Sequence, residues 1–372
     1  MKFVSTDNLK TGMRLAKPIY NKTGVMLYER DTKLTMAGID SIKKFGLIGI
    51  YVLDAAEPVP PMTEEDREFE RFQTMSVFSL QAILEDIQKG KQPAKLEVLV
   101  AEIMKIFGKY QGKITFNQNL RSIEDNVYKH SLNVAILAAA ISGKMNMNNE
   151  QQRAIVIAAL LHDVGSLDVP EALMRKDMGE YTDDDRKLIA KYREDGYKLL
   201  RENCDFESDV MKNISYLLRN LKDPNMSIKD TKNIDMSVEI LKCAYMFDVL
   251  TAMKYGEEPK SDIAAYKFIK NPVNGIHQEV VRALTVAINI VPSGCTVLFE
   301  NGERGIVLTE NEYDILRPFI LLFKDNRIYN LADSSIYKEY KIKDVLKTLD
   351  NRYMMVDKYK EYMEKLGNGE VR

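Results

Sequence analysis

AALLHDVGSLDVP, residues 158–170, is the stretch on which the fold turns: an apolar helical run ends in His162-Asp163 and then reaches Gly165. An imidazole and a carboxylate side by side at the buried end of a helix supply one nitrogen and one oxygen ligand to a metal, at a depth where an unpaired charge is costly. The same residues also read as a plain helix C-terminus, where His, Asp and a following Gly are ordinary capping chemistry.

Working outward, VYKHSLNVAILAAAISGKM (127–145) puts His130 at the start of a very apolar helix, 32 residues before His162. That distance fits one helix, a loop and a second antiparallel helix, which brings the two imidazoles together in a buried interface. Polar groups converging on an otherwise apolar contact mark a site. Residues 120–290 are helical in pattern almost throughout.

Composition sets the limits around this centre. With 372 residues, 45% hydrophobic and 29% charged, the chain reads as an ordinary globular protein of two or three domains. A net charge of -2 argues against nucleic acid as the partner but leaves room for a local basic pocket that takes a small anion. Cys204, Cys243 and Cys295 share no metal-ligand or redox spacing, which suits reduced cysteines in the cytoplasm. MKFVSTDNLKTG has no basic-then-apolar leader, and no later run approaches a membrane span.

The fold class expected is mostly α: a helical bundle between two small β modules. Residues 1–58 form the first module, with strand-like MRLAKPIYN, GVMLYER and IGIYVLD, a turn at Asn21-Lys22-Thr23-Gly24 and a helix over MAGIDSIKKFG. The prolines of AAEPVPPMTEED end it, and residues 59–118 are a helical linker. Its stripe of Phe72, Met75, Phe78, Leu80 and Ile83 is the seam of a core or of a homodimer. Residues 119–290 are the bundle. Residues 291–372 carry two hairpins, turning at Asn301-Gly302 and Asp325-Asn326, then a helix through KIKDVLKTLD and a charged tail from about Lys358.

His130, His162-Asp163 with Gly165 and Pro170, GEYTDDDRKLI, DGYKLL and AYMFDVLTAM, in this order, resemble the HD superfamily of metal-dependent phosphohydrolases. More narrowly they are similar to the HD-GYP branch, whose members hydrolyse cyclic di-GMP. LKTGMRLAKPIY and VPSGCTVLFENGERGIVL are similar to segments that flank such domains.

The resemblance implies a metal cage that this sequence keeps only in part. Its Glu four residues before the first His falls on Asn126, and the Lys after its His-Asp-Gly run falls on Ser166. Its next His falls on Tyr192, its His-His pair on Leu217 and Leu218, and its last metal Asp on Tyr245. LKDPNMS stands in place of the Gly-Tyr-Pro loop. The chain has three histidines, and His277 lies outside every motif, so a cage of several imidazoles cannot be assembled.

The site residues expected are therefore His130, His162, Asp163 and Asp248, holding one divalent Fe or Mn ion or none, with Asp163 the catalytic candidate. Arg175, Lys176 and Arg219 are the candidates for holding an anionic nucleotide. The function expected is a degenerate HD-GYP-like signalling protein that binds a cyclic dinucleotide or a protein partner. The alternative is a phosphohydrolase with a reduced metal site.

Overall fold

The computed structural model describes residues 2–21, 25–53, 64–222 and 235–346. The expected turn at 22–24, the proline-rich boundary at 54–63, most of LKDPNMS and everything from 347 lie outside the described residues.

The first module contains β1 (Lys2–Ser5), β2 (Arg14–Leu15), β3 (Ile19–Tyr20), β4 (Met26–Tyr28), α1 (Met36–Lys44) and β5 (Gly49–Leu53). Antiparallel β1 and β2 flank β5, and β3 pairs with β4. Leu15, Ile19, Ile42, Ile50 and Val52 close a small core of its own. The module docks through Ile48, whose amide donates to the Arg121 carbonyl at 2.9 Å, and through Lys17, which reaches the Gln118 carbonyl at 2.6 Å.

The bundle follows: α2 (Glu64–Gln88), α3 (Leu96–Ile103), α4 (Asn126–Lys144), α5 (Asn149–Leu161), α6 (Glu171–Met174), α7 (Asp183–Asn203), α8 (Ser208–Lys222), α9 (Met236–Thr251), α10 (Asp262–Lys270) and α11 (Gln278–Ala287). The run VAILAAAIS leaves α4 no polar face, so it is the central helix, packed by α5, α9 and α2. Asn148 with Gln151 starts α5, and Thr182 with Asp185 starts α7, each as a reciprocal capping box. On α2, Leu80 and Ile83 bury themselves inside the chain, while Met75 stays 63% exposed. The stripe read as a seam is thus largely core.

The second β module is one antiparallel sheet in the order β10-β6-β7-β8-β9, from β6 (Thr296–Phe299), β7 (Arg304–Thr309), β8 (Phe319–Leu322) and β9 (Ile328–Asn330) to β10 (Ile342–Leu346). The two hairpins turn as expected, with Gly302 at φ 85° and Asn326 at φ 55°. The helix expected through KIKDVLKTLD is corrected over its first half. There β10 pairs with β6, Ile342 opposite Phe299 and Val345 opposite Val297, and the helix that does form, α12 (Ser334–Glu339), comes earlier. Val297, Phe299 and Leu322 join the same hydrophobic core as α4 and α5. Among the described residues no helix is long and apolar enough to cross a membrane.

Candidate functional site

His130 lies on the second turn of α4, and His162 and Asp163 leave the end of α5 into a 3-10 turn over Val164–Asp168. All three are buried, and one ligand atom from each lies within 4.8 Å of the others. Gly165 is not a left-handed cap. A Cβ there would sit 2.0 Å from the Tyr192 carbonyl oxygen, and one on Gly196 would sit 2.4 Å from the Gly165 nitrogen. Two bare Cα atoms therefore let α7 lie directly on the His-Asp turn, a close approach only glycine allows.

The ring orientations follow from their partners. Nδ1 of His162 lies 2.8 Å from the Ala159 carbonyl, which can only accept, so this nitrogen carries the proton. Nδ1 of His130 donates to Oδ2 of Asp248 at 2.7 Å. In neutral rings both Nε2 atoms are then acceptors, and they face each other at 3.3 Å. That gap calls for a cation or one shared proton. Burial pushes the His162 imidazolium down to about 4, so this ring is neutral at pH 7.

Asp248 stands behind His130, on the side away from His162. Its Oδ1 accepts from Arg121 at 2.6 Å, Gln118 at 2.9 Å and Asn133 at 3.0 Å. Burial alone would raise its carboxyl, but Arg121 and the His130 bond outweigh it and hold it well below the usual range. Asp248 thus orients an imidazole, as the carboxylate behind a ligating histidine does. Asp163 accepts at Oδ1 from Ser166 at 2.5 Å and from Arg193 at 3.1 Å. Burial opposes its ionised form too, yet the Arg193 guanidinium, with the Ser166 hydrogen bond, holds its carboxyl below the usual range.

One divalent ion fits this donor set, with two lone pairs already aimed by their partners and a carboxylate beside them. When bound it would polarise a phosphoryl oxygen and acidify a water. Among the described residues no other donor set of this kind stands beside it for a second ion. Leu217 is fully buried apolar core and Leu218 is an apolar wall of the cavity beside the site, while Tyr245 sets its ring edge-on to His130 at 4.9 Å and to His162 at 5.7 Å between centroids.

The cavity that opens on His130 and Asp163 has a volume of about 840 Å³. Among the described residues, Arg121, Lys176, Arg186, Lys187, Arg193, Arg219 and Lys254 line it against Asp163 and Glu194, with Tyr181, Tyr197, Tyr245 and Tyr255 between them. Lys176 and Arg219 are therefore at its wall. Lys176 also donates to Asp185 at 2.8 Å, and Arg219 lies over the Tyr216 ring at 5.6 Å. Arg175 is off the wall, bonded to Glu171 and over the Tyr255 ring at 5.8 Å. Sequence reading missed Arg121, Gln118, Asn133 and Arg193. Asn133 carried a signal, since it follows His130 by three residues on the same helix face.

Asp185 gives a pH prediction for the helix that carries Arg193. Its bond to Lys176, then those to Thr182, hold its carboxyl at about 2, below the unfolded value near 4. The stabilisation is complete above about pH 4 and is lost as pH falls through the native value. The urea midpoint of the native protein is expected to exceed that of Asp185→Asn at pH 6, with the gap closing toward pH 2. A gap that widens on acidification contradicts the assignment.

The HD domain family matches residues 115–275. The chain is 23% identical over 297 residues, covering 77% of it and 71% of the relative, to the cyclic di-GMP phosphodiesterase PA4108 of Pseudomonas aeruginosa. It is 22% identical over 246 residues, 61% of it and 63% of the relative, to the cyclic di-GMP phosphodiesterase PdeB of Borreliella burgdorferi. Among solved structures, the HDG"Y"P protein Bd1817 from Bdellovibrio bacteriovorus aligns with a TM-score of 0.43 and 14% identity over 76% of this chain and 97% of its own. The match falls on the segment that carries His130, His162 and Asp163, so residues 115–275 are similar to the HD domain family and the chain resembles its HD-GYP branch.

Proposed function

We propose that the chain is a cytoplasmic signalling protein that takes a cyclic dinucleotide such as cyclic di-GMP into the cavity beside His130 and Asp163 and does not turn it over efficiently. The observation that carries this reading is the cavity wall, which seven basic and two acidic side chains line among the described residues. Guanidinium and ammonium groups recognise phosphate oxygens, and tyrosine faces suit bases. The volume suits a ligand of nucleotide size. The two named relatives act on cyclic di-GMP, which supports the ligand class.

The absence of efficient turnover rests on the residues that replace the cage. A two-ion clamp on attacking and leaving oxygens would draw on imidazoles and a carboxylate that Tyr192, Leu217, Leu218 and Tyr245 replace. Ser166 is spent on Asp163 and brings no charge to a phosphate. The facing Nε2 atoms favour one second reading, a one-ion phosphohydrolase on His130, His162 and Asp163.

Arg219→Glu, at the wall and outside the bonded centre, is expected to weaken cyclic di-GMP binding by about tenfold or more in isothermal titration while leaving the melting temperature in place. No heat from the native protein at tens of micromolar nucleotide removes the nucleotide and leaves a protein partner, met through the terminal modules, as the ligand.

A further inference from the structure

Arg193, a basic side chain of the cavity wall, is bonded to the carboxylate beside the imidazole pair. Its Nε donates to Oδ1 of Asp163 at 3.1 Å, and its Nη2 donates to the Tyr245 hydroxyl at 3.3 Å. Tyr245 in turn packs its ring against both histidines. Guanidinium, carboxylate, phenol and two imidazoles thus form one closed cluster at the floor of the cavity. The backbone fixes this arrangement, because Arg193 lies within the α7 turn that Gly165 and Gly196 clamp to the His-Asp loop.

We infer that Arg193 is the resident cation of this HD site, holding the carboxylate that a divalent ion would need and so keeping the site's metal affinity low. The charges close without an ion: Asp163 faces Arg193, and Asp248 faces Arg121 at 2.6 Å. A divalent ion on the two Nε2 atoms would have to share Asp163 with a fixed guanidinium a few ångströms away, in a setting where like charges repel strongly. The position is informative in the sequence as well. Arg193 follows Tyr192, where the resemblance implies a metal-binding His, so a ligand is lost and a cation arrives at neighbouring positions.

This inference rests on the same cavity being metal-poor, but its test contains no nucleotide, so its failure leaves nucleotide binding to its own experiment. Chelator-stripped protein is titrated with MnCl2, and free Mn2+ is followed by electron paramagnetic resonance. The native protein is expected to bind Mn2+ more weakly than about 10 µM. Arg193→Met keeps an apolar stem and drops the charge, and is expected to bind about tenfold more tightly or better. Adding His162→Ala is expected to cancel that gain, and Arg193→Lys to stay within about threefold of the native protein. Native binding tighter than about 10 µM, or no gain in Arg193→Met, overturns the inference. If melting curves show that Arg193→Met does not fold, the native titration decides alone against the same threshold.

Discussion

Asp248→Ala is expected to destabilise the protein by about 3–5 kcal/mol, as removal of one partner of a buried ion pair does. The carboxylate is fully buried and accepts from Arg121, Gln118, Asn133 and His130 together. Truncation leaves the Arg121 guanidinium, itself 2% exposed, without its counter-charge. It also frees the His130 ring to turn, so the facing Nε2 geometry is lost with the stability. Asp248→Asn keeps the shape and one acceptor, and is expected to cost less. Urea unfolding followed by circular dichroism measures both, and a loss under about 1 kcal/mol for the alanine variant contradicts the role given to Asp248.

The second large effect is expected at the glycine crossing. Gly196→Val puts a branched side chain where even a Cβ lies 2.4 Å from the Gly165 nitrogen and 2.6 Å from its Cα. Backbone cannot yield as a flexible side chain can, so α7 must lift off the His-Asp turn, at a cost of about 3 kcal/mol or more. Arg193 moves with it, and the bond to Asp163 goes. Gly179→Ala is the control, since its Cβ would meet nothing closer than Asp177 Oδ1 at 3.5 Å. That change is expected to stay within about 0.5 kcal/mol. Equal melting temperatures for native protein and Gly196→Val would refute the close crossing.

Legibility in the sequence followed the strength of local pattern. α4 and α5 are so apolar that their mutual burial, and with it the meeting of His130 and His162, could be expected from period and spacing alone. The kept and replaced positions of a metal cage were read only through the resemblance, not through any local pattern. What stayed hidden lies where periodicity is silent. Gln118 and Arg121 sit in an irregular stretch between α3 and α4, more than 120 residues from the Asp248 they hold. Arg193 sits on α7, a helix so rich in charge that no single basic residue stands out among 53 in the chain. Only the contact of two glycines selects it. In KIKDV the spacing of Ile342 and Val345 suits a helix face, and pairing with β6 overrode it.

The helix stripe of α2 teaches the same lesson in the other direction. Its apolar spacing was read correctly, but period alone does not say whether a face meets its own chain or a second copy, and here Leu80 and Ile83 meet α4 and its neighbours.

On the proposed function, an HD-like scaffold holds a cyclic dinucleotide without the paired ions that cleavage needs. Equilibrium dialysis of cyclic di-GMP against the protein in excess Mn2+, followed by chromatography of the bound nucleotide, tests it most directly. The account predicts retention at micromolar protein with the cyclic form recovered intact. Recovery of linear dinucleotide or GMP in amounts exceeding the protein, and lost in His162→Ala, would contradict it.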